Sequence, residues 1–319
     1  MSKIAFLFPG QASQYPGMGR DLDANFPESH AVFQEADATL GFPLSKLCFE
    51  GPEEELKLTA NQQPAILTVS VAAYRALEKH GITPDIVAGH SLGEYSALVA
   101  AGALAFSDAV KLARRRGQYM QEAVPPGEGA MAAIMGLSPS DVAEVCKKAA
   151  NGEVVSPANL NSPEQIAISG HAGAVKRAVE IASQSGAKRA VMLAVSAPFH
   201  SPLMLPVQQR FEAELRAVKF SAPRVPVITN VDADVAETGD ESREALIRQV
   251  SSPVRWLESV REMIDQGVNI FVEVGPGKVL SGLLRQIDRS VRCFGVEDSA
   301  SLQATLDKVA QARAEVADT

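Results

Sequence analysis

Cysteine is scarce: Cys48, Cys146 and Cys293 are three among 319 residues, odd in number, far apart and without the paired spacing of a zinc site. A disulfide-stapled fold and a Cys-built metal centre are thereby excluded, and the thiols are expected to be small buried apolar groups in a reducing cytoplasm. Positive charge is also short, with 30 Lys+Arg against 38 Asp+Glu and a net charge of −8. A field of that sign repels phosphate, so no nucleic-acid partner is expected. Long apolar runs are missing too. The most apolar stretch, Tyr95 to Phe106, is broken by Ser96 and Gly102 and falls short of the roughly 20 residues that span a bilayer. No membrane span is expected, and the run Ile4 to Phe8 is shorter than the roughly 7–15 apolar residues of an export signal. Repeats and low-complexity tracts are absent. With 46% hydrophobic residues, the chain is long enough to bury a sizeable core.

Periodicity sets the organisation. Ile4 to Phe8, stopped by Pro9-Gly10, and Ile86-Val87-Ala88 are continuous apolar runs, the pattern of strands buried on both faces in a parallel sheet. Between them the spacing predicts a helix over Pro64 to His80, with Gly81 as its stop. Later come a strand over Val225 to Thr229, a helix from Pro253 to Asp265, a strand over Asn269 to Val274, a Gly275-Pro276-Gly277 turn, a helix from Lys278 and a strand over Val291 to Phe294. Alternation of this kind implies an α/β layer. The rhythm breaks after Pro125-Pro126-Gly127-Glu128-Gly129. There the pattern gives strand Ala130 to Met135, helix Ser138 to Ala150 with Ser138 as cap, strand Glu153 to Ala158, strand Gln165 to Ser169, helix Gly173 to Ser185 and strand Arg189 to Val195. The order βαββαβ is the ferredoxin-like pattern. Residues 127–196 are therefore expected to form an inserted subdomain, joined to a body of residues 1–126 and 197–319 near Pro125 and Ser196.

Gly89-His90-Ser91-Leu92-Gly93 fits G-x-S-x-G and lies between a predicted strand and an Ala/Leu-rich helical stretch starting at Glu94. In that setting the turn holds the serine side chain out at the top of a sheet, and flanking glycines avoid collision with strand and helix. A serine hydroxyl is a weak nucleophile and needs a base. Of five histidines, His30 and His80 sit on amphipathic stretches, His171 at a turn of the insert and His90 inside the elbow. His200 lies in the proline-flanked loop Ser196 to Pro202 where the insert rejoins the body, and loops at such junctions line clefts.

Several further motifs stand in a fixed order: Phe8-Pro9-Gly10-Gln11-Ala12-Ser13-Gln14, Gln63-Pro64-Ala65, the elbow with Glu94-Tyr95, Arg116-Gly117-Gln118-Tyr119-Met120-Gln121-Glu122-Ala123, Asn159-Leu160-Asn161-Ser162-Pro163, Ala197-Pro198-Phe199-His200 and Glu273-Val274-Gly275-Pro276-Gly277-Lys278. In order and spacing, from end to end, the chain resembles the malonyl-CoA:acyl carrier protein transacylase family. The resemblance implies an α/β-hydrolase-like body carrying a ferredoxin-like insert, with the active site in the cleft between them. It implies Ser91 as nucleophile and His200 as general base, the imidazole oriented by the main-chain carbonyl of Gln249 rather than by a carboxylate. No acid between serine and histidine is then required. Read from the residues alone, Gln249 is a polar position on an amphipathic helix.

The resemblance further implies that the main-chain N–H groups of Gln11 and Leu92 form the oxyanion hole. Ala12 stands where many members have glycine; because the donor is backbone, little effect is expected. Arg116 would pair through two hydrogen bonds with the malonyl carboxylate, a geometry suited to a planar guanidinium. From the residues alone, Arg114, Arg115 and Arg116 are a run of three with nothing to choose between them. Phe199 resembles the bulky residue of malonyl-selective acyltransferases, although many housekeeping members have Ser there. Gln63, Asn159 and Asn161 match polar residues lining the family's cleft; by themselves they read as a helix-start Gln and turn-forming Asn.

The expected reaction is a ping-pong transfer from malonyl-CoA to the phosphopantetheine thiol of acyl carrier protein, in fatty-acid or polyketide synthesis, by a cytoplasmic monomer. No metal or redox cofactor is expected. The alternative is a trans-acting polyketide-synthase acyltransferase or an acyl hydrolase with another acyl preference. Carrier proteins are generally acidic, so Lys188, Arg189, Arg114 and Arg115 are candidates for a basic cluster at the cleft mouth.

Overall fold

A computed structural model describes residues 2–125, 127–195 and 197–317. Ten strands are present among them. In chain order they are β1 (Lys3–Phe8), β2 (Ile86–Gly89), β3 (Gly129–Met135), β4 (Val155–Ser162), β5 (Gln165–His171), β6 (Arg189–Met192), β7 (Val227–Ile228), β8 (Val235–Ala236), β9 (Val268–Val274) and β10 (Arg292–Val296). They form two sheets. The first has the order β10-β9-β1-β2-β7-β8, parallel throughout except for β8, which pairs antiparallel with β7 at the edge. The second, β4-β5-β3-β6, is antiparallel.

Strand parity explains the layers of the first sheet. Ile4, Phe6, Phe8 and Val87 face a core that includes the buried side of the helix Thr59–Lys79. Ala5, Leu7, Ile86 and Ala88 face an opposite core with Trp256, Val260 and Leu283. Both faces are covered, so β1 needs apolar residues at every position. Truncating Phe6 to Ala would cost about 3–5 kcal/mol of stability through the cavity left behind.

In the second sheet Ala132, Ile134, Ile166 and Ile168 pack under the helices Pro139–Ala150 and Ala172–Gln184. Ser138 caps the first of these by accepting from the Asp141 N–H, and Pro139 opens its first turn, as the sequence predicts. Alternate residues Met131 and Ala167 turn the other way, toward the large core. The two sheets are sewn together by main chain: Leu160 N–H donates to Val254 O at 2.9 Å, and Val254 N–H donates to Ala158 O at 2.8 Å.

Two departures from expectation lie at that seam, the first through pairing of β4 with β5 and the second through Val254. β4 runs on to Ser162 instead of ending at Ala158, so Asn159 and Asn161 are strand residues rather than turn formers. The helix expected from Pro253 starts at Trp256, because Val254 is committed to pairing with β4. The helix expected from Pro64 starts at Thr59 with Pro64 inside it. Proline cannot donate to the carbonyl four residues back. Arg114 Nη1 occupies that carbonyl, Ala60 O, at 2.8 Å, so Arg114 is not part of a solvated face. Strands were also overextended: Val225–Thr229 shrinks to β7 and Arg189–Val195 to β6. The expected boundaries fall on Pro126 and Ser196, which lie outside the described residues.

Candidate active site

The elbow is steric in origin. A Cβ at Gly89 would lie 1.9 Å from the Gly93 carbonyl carbon, and one at Gly93 would lie 2.0 Å from Phe8 O. Only glycine fits either place. Between them Ser91 has φ +51°, the left-handed region that costs a residue with a side chain of order 1–3 kcal/mol. The turn feeds the helix Gly93–Ala100, every residue of which is buried.

Ser91 Oγ lies 2.7 Å from His200 Nε2. The other ring nitrogen, Nδ1, faces two carbonyls, Gln249 O at 2.9 Å and Ser252 O at 3.2 Å. Two acceptors on Nδ1 assign the proton there, leaving the Nε2 lone pair for the serine hydroxyl. Burial, and then the positive charge of Arg116, pull the His200 pKa down to about 3. The imidazole is therefore neutral at neutral pH. Since an unfolded histidine binds a proton below its ordinary 6.5 and this one does not until near the depressed value, this group makes the fold lose stability as pH falls through that interval.

Arg116 is fully buried. Nη1 donates to Gln63 Oε1 at 2.9 Å, while Nη2 donates to Ser91 Oγ at 3.0 Å and to Gln249 Oε1 at 2.9 Å. The guanidinium carbon lies 5.7 Å from the centre of the Tyr95 ring, and Nε has no partner among the described residues. Every oxygen it touches is neutral. Burial works against the charge and lowers its pKa, yet a guanidinium keeps its proton in proteins. Gly117 explains its depth: a Cβ there would meet Thr59 O at 2.5 Å, so glycine lets the helices Thr59–Lys79 and Phe106–Gln121 approach. The apolar stripe Ala109, Ala113 and Met120 contains Arg116 and excludes Arg115. That periodicity is present in the sequence and would have separated the three arginines.

Two buried polar residues were missed. Glu94, in an otherwise uncharged helix, accepts at Oε2 from Asn230 N–H at 2.8 Å and from Gln249 Nε2 at 2.9 Å, while Oε1 has no partner among the described residues. Burial raises its pKa to about 7, against the pull of those hydrogen bonds and of Arg116. Asn230, just past the end of β7, accepts the Ser91 N–H at Oδ1, 2.6 Å, and donates from Nδ2 to Gly89 O at 2.7 Å. The sequence signal for Glu94 was a lone carboxylate inside an apolar helix. Asn230 carried none beyond its position after a strand.

A cavity of about 260 Å³ opens over Ser91 and His200, with Gln11, Phe199, Asn159 and Asn161 also on its walls. Arg116, Gln63, Gln249 and Leu92 lie behind that wall, each fully buried. Gln63 Nε2 reaches Gln11 Oε1 at 3.4 Å, so Gln63 links Arg116 to the first loop. Asn161 is already engaged, its Oδ1 lying 2.8 Å from His90 Nε2. The main-chain N–H groups of Gln11 and Leu92 take no partner among the described residues. The basic candidates fare differently. Lys188 pairs with Glu164 at 2.6 Å and Arg115 with Glu214 at 3.9 Å, Arg114 is spent on the proline-broken helix, and none of these or Arg189 lines the cavity. Among the described residues no cluster of His, Cys, Asp or Glu could hold a metal, and no helix is long and apolar enough to cross a membrane.

Comparison with known proteins follows this geometry. The acyl transferase domain family matches residues 5–310. The malonyl CoA-acyl carrier protein transacylase of Bacillus subtilis is 52% identical over 307 residues, 96% of this chain and 97% of that one. This chain belongs to the malonyl CoA-acyl carrier protein transacylases. Among solved members of that family, the transacylase of Coxiella burnetii superposes with a TM-score of 0.94 at 45% identity, covering 96% of this chain and 97% of its own. A malonyl-transacylase in complex with its type II PKS acyl-carrier protein gives the same TM-score and identity, over 96% of this chain and all (100%) of that one. The mixed α/β fold with one parallel and one antiparallel sheet is thus the transacylase fold.

Proposed function

We propose that this protein moves a malonyl group from malonyl-CoA to the phosphopantetheine thiol of an acyl carrier protein through an ester on Ser91. The observation that carries the reading is a nucleophile set between a neutral imidazole at 2.7 Å and a buried guanidinium at 3.0 Å that, among the described residues, is hydrogen-bonded to no carboxylate. A buried cation resting on neutral oxygens favours an acyl group that brings its own carboxylate. Once Oγ is acylated, its bond to Arg116 Nη2 is freed for that carboxylate.

In the first half-reaction Ser91 Oγ attacks the thioester carbonyl and its proton passes to His200 Nε2. The tetrahedral oxyanion is held by the N–H groups of Gln11 and Leu92, donors worth about 3–4 kcal/mol each in such sites. Collapse expels the CoA thiolate, which takes the proton from His200. The carrier thiol then attacks the ester with the same residues in reverse order. Arg116 depresses the basicity of His200 in the free enzyme; a bound malonyl carboxylate offsets that charge, so the correct substrate strengthens the base. Gln249 O holds the imidazole. Phe199 narrows the cavity against an α-methyl branch, while Gln63, Asn159 and Asn161 provide polar surroundings.

We read residues 1–126 and 197–319 as an α/β-hydrolase-like catalytic body and residues 127–196 as a ferredoxin-like subdomain. The strand order β4-β5-β3-β6 with two helices on one face supports the second assignment. The chemistry draws on side chains and the two thiol substrates without a cofactor, and the three unpaired cysteines suit the reducing cytoplasm.

The test is a side-by-side assay of malonyl-, methylmalonyl- and acetyl-CoA that follows transfer to carrier protein and release of free acid. Preferential malonyl transfer is expected. Equal use of acetyl-CoA, or free acid as the main product, overturns the reading.

A further inference from the structure

The two peptides that meet at Ser91 are held by two side chains far away in sequence and by the Glu94 main-chain N–H. Ser91 N–H is held by Asn230 Oδ1 at 2.6 Å, and Ser91 C=O accepts Gln249 Nε2 at 3.0 Å and Glu94 N–H at 3.1 Å. An amide is planar and trans, so fixing the direction of the Ser91 carbonyl fixes the opposite direction for the Leu92 N–H. A left-handed serine would relax without such restraint. The two gripping carboxamides are themselves polarised. Each can present oxygen or nitrogen, and the wrong choice would set lone pair against lone pair. Arg116 Nη2 fixes the Gln249 oxygen, and Glu94 Oε2 fixes its nitrogen while also accepting the Asn230 main-chain N–H. Asn230 Nδ2 is fixed on Gly89 O. Glu94 is 1% exposed, and Asn230 and Gln249 are wholly buried, so water does not complete the network.

We propose that Glu94 and Asn230 are positioning residues for the oxyanion hole: with Gln249 they lock the Ser91–Leu92 peptide in the orientation that aims the Leu92 N–H at the developing oxyanion. Neither touches substrate. The role needs Glu94 as a double acceptor, which a glutamine oxygen at the same place also provides, and it needs the Asn230 oxygen on the Ser91 N–H. The proposal rests on the reading of Ser91 as the residue that carries the acyl group.

The test measures two rates at Ser91 for the wild type, Asn230→Ala, Asn230→Ser, Glu94→Ala, Glu94→Ser and Glu94→Gln. One is single-turnover malonylation under saturating malonyl-CoA by intact mass; the other is phosphonylation by a simple alkyl fluorophosphonate, which uses the same oxyanion hole without a malonyl group. Loss of alignment in such sites costs on the order of 100-fold. Asn230→Ala and Glu94→Ala are expected to slow both rates to about that extent with little change in the KM for malonyl-CoA, and Glu94→Gln to recover most of the loss. Asn230→Ser, too short to reach the Ser91 N–H, is expected to follow Asn230→Ala and replaces it if the alanine variant does not fold. Glu94→Ser, likewise too short to accept from the Asn230 main-chain N–H, serves in the same way for Glu94. Unchanged rates in the alanine or serine variants at either position, a defect confined to KM, or Glu94→Gln as slow as Glu94→Ala overturns the proposal. Wild-type protein that is phosphonylated at Ser91 but takes no malonyl group removes the functional reading alone, and the phosphonylation rates then decide the positioning role.

Discussion

The cavity has two unlike walls. On the side of the parallel sheet, Ser91, Glu94, Arg116, Asn230 and Gln249 are buried and bound to one another through a continuous run of hydrogen bonds. The opposing wall, from the antiparallel sheet and the segment after β6, is mostly apolar, with Met131, Ala133, Ile166 and Ala167 beside Leu193 and Val195, the last two each 36% exposed. The first wall stores backbone strain at Ser91 and His200, both at positive φ, and a fully interlocked surround keeps that strain from relaxing. Among the described residues the second wall presents mainly apolar side chains, with Asn161 tied to His90. Chemistry that develops charge needs preorganised dipoles, and the first wall is the one that supplies them.

The comparison can be broken by substitutions on each side. Arg116→Ala should have the largest effect, because it removes the guanidinium 3.0 Å from the nucleophile and, on the proposed reading, strands the malonyl carboxylate. About 2–5 kcal/mol is the usual cost of leaving a buried charge unpaired, so malonyl transfer should fall by orders of magnitude while acetyl transfer gains relative to it. Competition between the two CoA esters reads this, and an unchanged preference would remove Arg116 from the carboxylate role. Phe199→Ala comes next. Removing the ring opens more than enough room for the substrate's α-methyl; one methyl changes selection by about 1–3 kcal/mol, and the kcat/KM ratio of methylmalonyl- to malonyl-CoA should rise accordingly. A flat ratio would show that Phe199 does not set the width. Leu193→Ser, on the second wall, should change thermal stability by no more than about 0.5 kcal/mol and leave the malonylation rate of Ser91 intact. A large loss there would mean that the second wall is as preorganised as the first.

Legibility in the sequence followed the same division. β1, β2 and the strand–turn–helix elbow were readable because burial on both faces demands apolar residues and because Gly89 and Gly93 have no substitute. The βαββαβ order was readable from alternation, and the Ser138 cap from its side-chain chemistry. Ser91 and His200 came from motif and loop context. By contrast, Arg116 was indistinguishable from its neighbours until the family resemblance and then helical periodicity selected it. Asn159 and Asn161 read as turn residues from their residue type beside Pro163, whereas pairing with β5 carries the strand through them and Val254 adds a bridge at Asn159 from nearly a hundred residues away. Glu94 and Asn230 were overlooked. Their partners lie on other elements, and only the assembled fold brings Asn230 and Gln249 onto the main chain of the elbow.

The central claim is that Ser91 is the residue on which the acyl group rests between donor and acceptor. Intact mass after brief mixing with malonyl-CoA tests it most directly, with wild type and Ser91→Ala in parallel. A gain of one malonyl group is expected on the wild type, discharged on adding carrier protein, and no gain on the variant. An unmodified wild type, or a Ser91→Ala protein that still takes up the group, would contradict it.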